Sequence, residues 1–520
     1  MIKYGLEQIS PTMSIQEKEK LITHLGYAIK KDSISDEEYK SIRKALTVAP
    51  TGSSRFAPVG DSFPVFYESP KRIFVPRAWG IEQYGEVENI LVPGTPLRPE
   101  LKFVGNAYDY QTDIINKFVS NPNGLICVPC GRGKTFMAIA IAARLAHKFL
   151  IIVDKEFLLQ QWSGELNSLL PGIRIGIIQG DLKQINNVQE PVQTIAQLKE
   201  SLKALKLPVG GTKDVLKERL DKAQGPKEPV QYDCCIAMIQ TLVQKDFAET
   251  DFRSFGLAIF DECHHLGAAH FSKSLLKVQT KYMLGLSATP TRDDGLTKVF
   301  EWFIGKPIYW EKTREADPDV IVRKVEFKCD DETYNTEPCN HMGEVILATL
   351  LTHIVECEER NKKIDEILAS LVKDPKRKIL VLSERKSHLE RIAAGLPEGT
   401  KCGYYIGGMN EDVRETGAKE SQVLLGTYAM ASEAMNIKTL NTMIMASPRK
   451  KIEQSTGRIL RTRKDERDVK PLIIDIVDNH AVYKNQWSKR KAYYKRCAYV
   501  LEGSSVKELP APTACLIQDD

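Results

Sequence analysis

The feature that most constrains the fold is an alternation of short apolar runs with longer helical stretches, which occurs twice along the 520 residues. Aliphatic, β-branched runs of this length, each followed by a turn and a helix, are typical of parallel sheets covered by helices. We therefore predict an α/β protein with two parallel-sheet domains in tandem. The predicted strands are GLICV, KFLIIV, RIGIIQG, CCIAMI, LAIFD and YMLGLS in the first series, and IVRKVEF, KILVLS, CGYYIG, VLLGT, TMIMAS and PLIIDIV in the second.

The sequence around these series sets the expected domain boundaries. We expect a small N-terminal α+β domain, two sheet domains and a flexible tail, over residues 1–92, 93–310, 311–502 and 503–520. Within this plan, apolar residues at helical spacing predict helix over residues 14–47 and one long amphipathic helix over 343–373.

Composition excludes several classes of protein. Charged residues make up 27% and hydrophobic residues 42%, which is ordinary for a globular chain. The net charge of +5 is too small to require a nucleic-acid partner by itself. No apolar run approaches the roughly 18 residues that span a bilayer, the first residues lack a signal-peptide core, and 11 cysteines form no disulfide framework. We expect a protein of a reducing, intracellular compartment, with no membrane partner.

One segment interrupts the first series. Residues 190–226 do not alternate, and they are predicted to form a helix–turn–helix unit inserted into a surface loop of the first sheet domain. The apolar residues expected on the inner faces of its two helices are Leu198, Leu202 and Leu205, and Val215, Leu216 and Leu220.

A candidate phosphate-binding loop, PCGRGKT, follows the first strand and precedes a helix. Glycines allow backbone N–H groups to face a phosphate, and the helix N-terminus adds a positive field. Lys134 would reach the β- and γ-phosphates, and Thr135 would offer its hydroxyl to Mg²⁺. The first glycine of the usual pattern is replaced by Val128, so the match is to a variant of that pattern. The candidate loop residues are Pro129, Cys130, Gly131, Arg132, Gly133, Lys134 and Thr135.

Two carboxylates end the apolar strand LAIFD, where α/β sheets place their ligands. We expect Asp261 to hold Mg²⁺, partly through water, and Glu262 to polarise the attacking water. His264 is expected to couple this site to the next motif, LSAT. We prefer this role to a metal cluster built from the neighbouring Cys and His residues.

Together, PCGRGKT, DECH, LSAT and QSTGRILR resemble the ordered motifs of superfamily 2 helicases over residues 100–465. The DECH, PCG and TRDDG sequences are similar to the branch of XPB, of the transcript-release DNA helicases of large DNA viruses, and of UvsW-type phage helicases. The resemblance implies two RecA-like domains and an ATP- and Mg²⁺-dependent motor.

The resemblance also implies roles for further residues. Gln111 would read adenine, Glu433 would lie near the nucleotide, and Gln454 would approach the γ-phosphate or the attacking water. Arg458 and Arg461 would act as arginine fingers. Ser287 and Thr289 would couple ATP hydrolysis to movement, together with His264. The implied contacts with the nucleic-acid strand are Lys155, Gln160, Gln240, Thr241, Arg292 and Thr427.

Two segments outside the motor carry candidate nucleic-acid contacts. The inserted unit resembles a SAP module, which binds duplex DNA, and the alternative of a hairpin that only packs on the motor remains open. Its implied DNA contacts are Lys206, Lys213, Lys217 and Arg219. The run KNQWSKRKAYYKR could stack bases, but we favour a helix that packs Trp487, Tyr493 and Tyr494 inward.

The function implied is an ATP-dependent DNA helicase or translocase that acts on duplex or single-stranded DNA. The viral resemblance implies a role in transcript release, with RNA–DNA hybrids and RNA polymerase as expected partners, or in repair and recombination. The nucleus, cytoplasm, viral factory or virion are the expected locations. An RNA helicase and an inactive nucleic-acid-binding scaffold are the alternatives.

Overall fold

The computed structural model describes residues 18–50, 62–129, 131–185, 195–205, 207–224, 231–248, 250–267, 272–288, 290–292, 294–311, 316–433, 437, 439–460, 462 and 466–502. The chain forms two compact units, Met1–Cys127 with Gly133–Trp310, and Val128–Arg132 with Glu311–Asp520. No helix within the described ranges is long and apolar enough to cross a bilayer.

The first unit begins with a small α+β layer. Its elements are β1 (Lys20–Thr23), β2 (Gly26–Lys30), α1 (Asp36–Ala45), β3 (Thr47–Val48), β4 (Phe63–Pro64), β5 (Tyr67–Glu68), β6 (Arg72–Val75) and α2 (Arg77–Tyr84). Four of the described strands form an antiparallel sheet in the order β1-β2-β6-β5.

The prediction of helix over residues 14–47 was wrong for its central part. Residues 20–30 form the β1–β2 hairpin, which turns at His24 and Leu25, and β2 begins at Gly26 with φ +113°. Helix begins only at Asp36, after Ser35 caps it by accepting a hydrogen bond from the N–H of Glu38 at 3.1 Å. The apolar spacing suits both structures locally, but pairing of β2 with β6 buries Tyr27 and Ile29 completely and decides for strand.

The main sheet of the first unit follows. Its elements are α3 (Asp109–Ser120), β7 (Asn123–Cys127), α4 (Lys134–Leu145), β8 (Phe149–Val153), α5 (Glu156–Leu169), β9 (Ile175–Gln179), β10 (Leu182–Lys183), α6 (Ile195–Ala204), α7 (Lys213–Gln224), β11 (Cys234–Met238), α8 (Ile239–Gln244), β12 (Leu257–Phe260), α9 (Ser272–Lys277), β13 (Tyr282–Ser287), α10 (Thr297–Ile304) and β14 (Pro307–Trp310).

This sheet determines where the site residues lie. Its described strands pair in the order β10-β9-β11-β8-β12-β13-β7-β14, and all pairs are parallel except β10 with β9. The strands β8, β12, β13 and β7 are therefore consecutive neighbours with the same direction. Their carboxyl ends meet at one edge, which is where open α/β sheets bind their ligands.

The inserted unit is a helical hairpin, α6 and α7, with its own small core. Leu198, Leu202, Leu216 and Leu220 are buried against one another. The expectation that Leu205 and Val215 also face inward was wrong, since they are 46% and 43% exposed. Leu205 lies beyond the end of α6, and Val215 lies beside the turn at Gly211.

The second unit carries another parallel sheet. Its elements are β15 (Ile321–Phe327), α11 (Glu332–Asn335), α12 (Leu347–Glu356), α13 (Glu358–Leu371), β16 (Ile379–Ser383), α14 (Lys386–Ala394), β17 (Cys402–Tyr405), α15 (Glu411–Glu420), β18 (Val423–Thr427), α16 (Tyr428–Glu433), β19 (Thr442–Met445), α17 (Glu453–Thr456), β20 (Leu472–Asp478), α18 (Ala481–Arg496) and β21 (Val500–Leu501). The described strands are ordered β17-β18-β16-β19-β20-β15-β21, all parallel.

The α/β class with two tandem parallel sheets is thus confirmed, and each of the twelve apolar runs predicted as a strand contains one. The single helix predicted over 343–373 is instead two helices, which break at Cys357, where ψ is 112°. The break gives α13 its own start, and Arg360 and Asn361 on its first turn are buried.

Buried charge pairs hold the second sheet to its helices. Arg360 donates to Asp478 through Nε at 2.7 Å and Nη2 at 3.1 Å, and both side chains have no exposed surface. Arg490 on α18 makes the same bidentate contact with Asp475. The favoured interpretation of α18 is confirmed, because Trp487, Tyr493 and Tyr494 are all buried.

Replacing Arg360 with Ala should destabilise the second unit by about 3–5 kcal/mol, because Asp478 would remain buried without its counter-charge. Urea unfolding followed by hydrogen exchange in peptides from β20 measures this loss. Arg323→Ala is the matched control, since its ion pair with Glu502 is 46% and 47% exposed and exposed pairs contribute about 0–1 kcal/mol. Equal effects of the two substitutions would contradict the expectation.

Candidate active site

Four predicted site residues follow the carboxyl ends of neighbouring strands in the first unit. Lys134 begins α4 after β7, Asp261 and Glu262 follow β12, and Ser287 ends β13. The parallel register of these strands brings them to one edge of the sheet.

The start of α4 is shaped by Gly133. This residue adopts φ 79° and ψ 40°, a left-handed conformation that glycine adopts without strain. A Cβ at this position would lie 2.4 Å from Nε2 of Gln111, a side chain that is 4% exposed. Gln111 is held in place because its Oε1 accepts the N–H of Tyr108 at 3.0 Å. The structure thus brings the predicted adenine-reading residue next to the predicted phosphate loop.

The preceding loop residues are partly described. Gly131 has φ 87°, and the N–H of Arg132 donates to the carbonyl of Pro129 at 3.3 Å. The guanidinium of Arg132 pairs with Glu311, with Nε and Oε2 at 3.1 Å. Cys130 lies outside the described residues.

Lys134 and Glu262 form the central contact of the site. The ammonium donates to Oε1 of Glu262 at 2.7 Å, and the two side chains are only 12% and 22% exposed. Glu262 has φ 43°, which is uncommon for a residue with a side chain. Such backbone conformations persist when the surrounding contacts hold them, and they are frequent at functional sites.

Asp261 is fixed by two donors. Its Oδ2 accepts from Nε1 of Trp162 at 2.9 Å, and its Oδ1 accepts from the N–H of Glu262 at 3.0 Å. Burial, and to a smaller extent the neighbouring Glu262, raise the pKa of Asp261 to about 6, against the lowering effects of Lys134 and Trp162. Sequence reasoning missed Trp162, although an indole with a polar tip at the end of the IIVDKEFLLQQW run was a usable signal.

His264 connects this acidic pair to β13. Its Nδ1 lies 3.0 Å from Oγ of Ser287 and 3.4 Å from Oε2 of Glu262. The structure therefore brings together two of the three predicted coupling residues, and the third, Thr289, lies outside the described residues.

Arg292, predicted to contact nucleic acid, is held inside the first unit. Its Nε donates to Oδ1 of Asp294 at 2.9 Å, and its Nη1 donates to the carbonyl of His264. The same arginine holds the pKa of Asp294 below its usual value. Arg292 thus links the segment after β13 to the acidic turn after β12.

The remaining predicted strand contacts of the first unit differ in exposure. Lys155 and Gln160 are exposed at the start of α5. Gln240 donates through Nε2 to the carbonyl of Asp154 at 2.7 Å. Thr241 is 6% exposed, and its hydroxyl accepts the N–H of Gly180 at 2.9 Å, so this side chain stabilises the loop after β9.

Other predicted residues are described only in part. In the inserted unit, Lys213 begins α7, and Nη1 of Arg219 donates to the carbonyl of Gly210 at 3.0 Å, which ties α7 to the turn. In the second unit, Thr427 ends β18. Lys206 and Arg461, and the side chains of Lys217, Glu433, Gln454 and Arg458, lie outside the described part of the chain.

The residues at this edge fit a nucleoside triphosphate with a divalent cation. Gly133 has no side chain, so a phosphate can come close to its backbone, and any Cβ would occupy that space. It also stands at the N-terminus of a 12-residue helix. Lys134 supplies positive charge for phosphate. The hydroxyl of Thr135 and the carboxylate of Asp261 are oxygen ligands of the kind that Mg²⁺ prefers, and a carboxylate that accepts two hydrogen bonds has lone pairs left for water.

Known proteins share both halves of this arrangement. Residues 105–292 match the family described as "Type III restriction enzyme, res subunit", and residues 359–464 match the family described as "Helicase conserved C-terminal domain". A protein of Acanthamoeba polyphaga mimivirus, provisionally named an ATP-dependent RNA helicase, is 29% identical over 94% of this chain and 87% of its own.

Two further relatives are named for different nucleic acids, one for RNA and one for DNA. A protein of African swine fever virus, also provisionally named an ATP-dependent RNA helicase, is 27% identical over 75% of this chain and 73% of its own. A protein of Haloarcula marismortui, provisionally named a DNA 3'-5' helicase, is 25% identical over 69% of this chain and 51% of its own.

The class of nucleic-acid-dependent NTPase motors is defined by two successive parallel-sheet domains. The first of these domains carries a phosphate-binding loop and a pair of carboxylates at the end of a strand. With both family matches in this order, the chain belongs to the superfamily 2 helicases and is an ATP-hydrolysing helicase. Membership of this family implies the use of ATP, typically with Mg²⁺, and a nucleic-acid partner.

Substituting Gly133 with Ala should weaken nucleotide binding by about 10-fold or more, because the new Cβ would collide with Gln111 and strain a backbone at φ 79°. Fluorescence titration with a labelled ATP analogue measures the affinity. Gly164→Ala is the matched control, since no atom lies within 4 Å of its added Cβ. An unchanged affinity for Gly133→Ala would contradict the assignment of this loop.

Proposed function

We propose that the protein is a DNA helicase or translocase in which ATP hydrolysis at the Lys134–Glu262 edge drives movement along DNA. The observation that carries the proposal is the 2.7 Å contact between Lys134 and Glu262, beside an Asp261 fixed by Trp162. A lysine at a helix N-terminus, taken alone, occurs in many kinds of site, and so does a carboxylate pair at a strand end. Together they supply the groups that phosphoryl transfer to water needs.

In this proposal each side chain has a distinct task. Lys134 binds the β- and γ-phosphates, and Asp261 with Thr135 holds Mg²⁺, which neutralises charge on the phosphates when bound. Glu262 orients and polarises the attacking water. His264 and Ser287, which are in contact, transmit the state of Glu262 to the segment after β13, where Arg292 also holds the His264 carbonyl.

Glu262→Gln should lower kcat for ATP hydrolysis by about 10²–10⁴-fold, the usual contribution of a positioned general base, while ATP affinity changes little. Phosphate-release kinetics and nucleotide titration on the same preparation separate the two effects. Glu37→Gln, on the exposed surface of α1, is the control. Turnover that survives in Glu262→Gln would reject Glu262 as the base.

The motifs of the second unit extend the proposal. Arg458 and Arg461 are assigned as transition-state arginines, Gln454 as a residue close to the γ-phosphate or the attacking water, and Glu433 as a neighbour of the nucleotide. The support is the QSTGRILR sequence and the family match over residues 359–464. Alanine at either arginine should lower kcat without abolishing ATP binding.

We propose DNA as the nucleic acid along which the motor moves, because of the inserted unit and the resemblance to the XPB-like branch. The α6–α7 hairpin has a core of its own and so is a separable unit, as a SAP-like DNA-binding module would be. Lys213 stands at the N-terminus of α7, next to the Gly211 turn, where backbone N–H groups and the lysine can face a phosphate. Lys206, Lys217 and Arg219 extend the proposed contact.

Lys213→Glu should reduce affinity for duplex DNA and reduce the slope of log affinity against log salt by about 1, because one phosphate contact is lost. Basal ATP hydrolysis should not change. Lys102→Glu, an exposed lysine of the same unit, is the control. Deletion of residues 190–226 is the stronger test, and equal DNA affinity after deletion at moderate salt would refute the SAP-like role.

An RNA helicase is the second candidate, favoured by the names of the mimivirus and African swine fever virus relatives. Strand displacement with 3′- and 5′-tailed duplexes of DNA and of RNA separates the two. Faster displacement or stronger ATPase stimulation with DNA supports the proposal, and activity confined to RNA overturns it. Transcript release, with an RNA–DNA hybrid as substrate and RNA polymerase as partner, is the pathway we propose for a DNA-tracking motor.

A further inference from the structure

A groove of about 480 Å³ opens on the first unit, where the β1–β2 turn, the chain at Leu91 and Val92, and the end of α9 meet. Its lining includes Phe252 and Lys281, which lie just before the strands β12 and β13. Those strands are parallel, and the candidate active site follows their carboxyl ends. The groove therefore lies at the opposite edge of the sheet from the ATP-hydrolysing residues.

The floor of the groove is apolar and includes side chains that face solvent. Leu25, Leu276 and Phe247 line it, together with Val92 and Tyr67, which are 55% and 52% exposed. Large apolar side chains this exposed and this close together are uncommon on a protein surface and are typical of an interaction site.

The rim of the groove is basic. Arg253, Lys273, Lys277 and Lys281 line it, and Asp246 is the acidic residue among the lining side chains that the structure describes. Arg253 and Lys273 are exposed. Such a rim attracts an acidic partner and repels a basic one.

A buried amide side chain also lines this groove. Gln279 is 5% exposed, and its Nε2 donates to the carbonyl of Leu275 at 2.7 Å, which fixes the orientation of the amide. Its Oε1 accepts a hydrogen bond from no residue in the described ranges. Because this oxygen is itself buried, the amide shapes the floor of the groove and is not a contact for a partner.

We infer that this groove docks an acidic peptide segment of a partner protein, which inserts two or three large apolar side chains between Val92 and Leu276. The apolar floor selects the anchors, and the basic rim selects acidic flanking residues. This mode resembles the general way in which apolar pockets with a charged rim recognise short segments.

A nucleic-acid strand fits the same surface less well. Single strands bind to a series of open aromatic faces. Among the described Phe and Tyr side chains that line the groove, Tyr67 is the exposed one, because the Phe247 ring lies under Lys183, whose Nζ is 4.4 Å from the ring centroid, and Phe252 and Phe255 are buried.

Selection from a displayed library of random 16-residue peptides tests the inference with the full-length protein as bait. Binders should be enriched in Asp and Glu and should carry at least two large apolar residues. A synthetic copy of an enriched peptide should bind at least about 10-fold more weakly to Val92→Glu and to Lys273→Glu, because anchor contacts and charge attraction are lost. Peptides 89–92 and 272–281 of the protein should exchange amide hydrogen more slowly when it is bound.

Lys40→Glu, an exposed charge reversal on α1, is the matched control and should leave peptide affinity unchanged. Retained thermal stability and ATP hydrolysis establish that Val92→Glu folds, and its exposed position makes this the expected result. Binders without acidic excess, or binders insensitive to Val92→Glu, would overturn the inference. The absence of any peptide binder would also overturn the inference. The same holds if 12-nucleotide DNA or RNA strands bind the protein and bind Val92→Glu and Lys273→Glu more weakly.

Discussion

The parallel pairing of β7, β13, β12 and β8 is the constraint on which the rest of the site depends. Register brings Cys127 beside Ser287 and Phe260 beside Gly285, so the residues that follow each strand meet at one edge. Lys134, Glu262, His264 and Ser287 then touch in sequence across three strand ends. In the proposed function, this series of direct contacts links the phosphate site to the segment that holds Arg292.

The acidic pair illustrates how local packing sets chemistry. Asp261 is buried and bound by an indole N–H, while Glu262 is turned by a left-handed backbone toward Lys134. Adjacent carboxylates would otherwise point to opposite sides of an extended chain. In the proposed function, these two neighbours in sequence therefore have different tasks, a cation ligand and a water-polarising base.

Much of this arrangement is predictable from sequence because it depends on local patterns. Buried parallel strands are continuous apolar runs, and a glycine-rich turn before a helix has few other uses, so the two sheets and the Lys134 loop follow from the printed residues. The features that were predicted wrongly or missed depend on contacts between residues far apart in sequence. The β1–β2 hairpin is decided by pairing with β6, and the break at Cys357 accompanies burial of Arg360 against Asp478, 118 residues further along the chain. Trp162 was missed because its partner lies 99 residues away.

The most direct test of the account is steady-state phosphate release from ATP with Mg²⁺, measured on the full-length protein with and without duplex DNA, single-stranded DNA and RNA. The account predicts Mg²⁺-dependent turnover that rises severalfold when the preferred nucleic acid is added, since the motor couples the two. Tight ATP binding without turnover in any of these mixtures would contradict it and would indicate a nucleic-acid-binding scaffold that only retains the shape of a helicase.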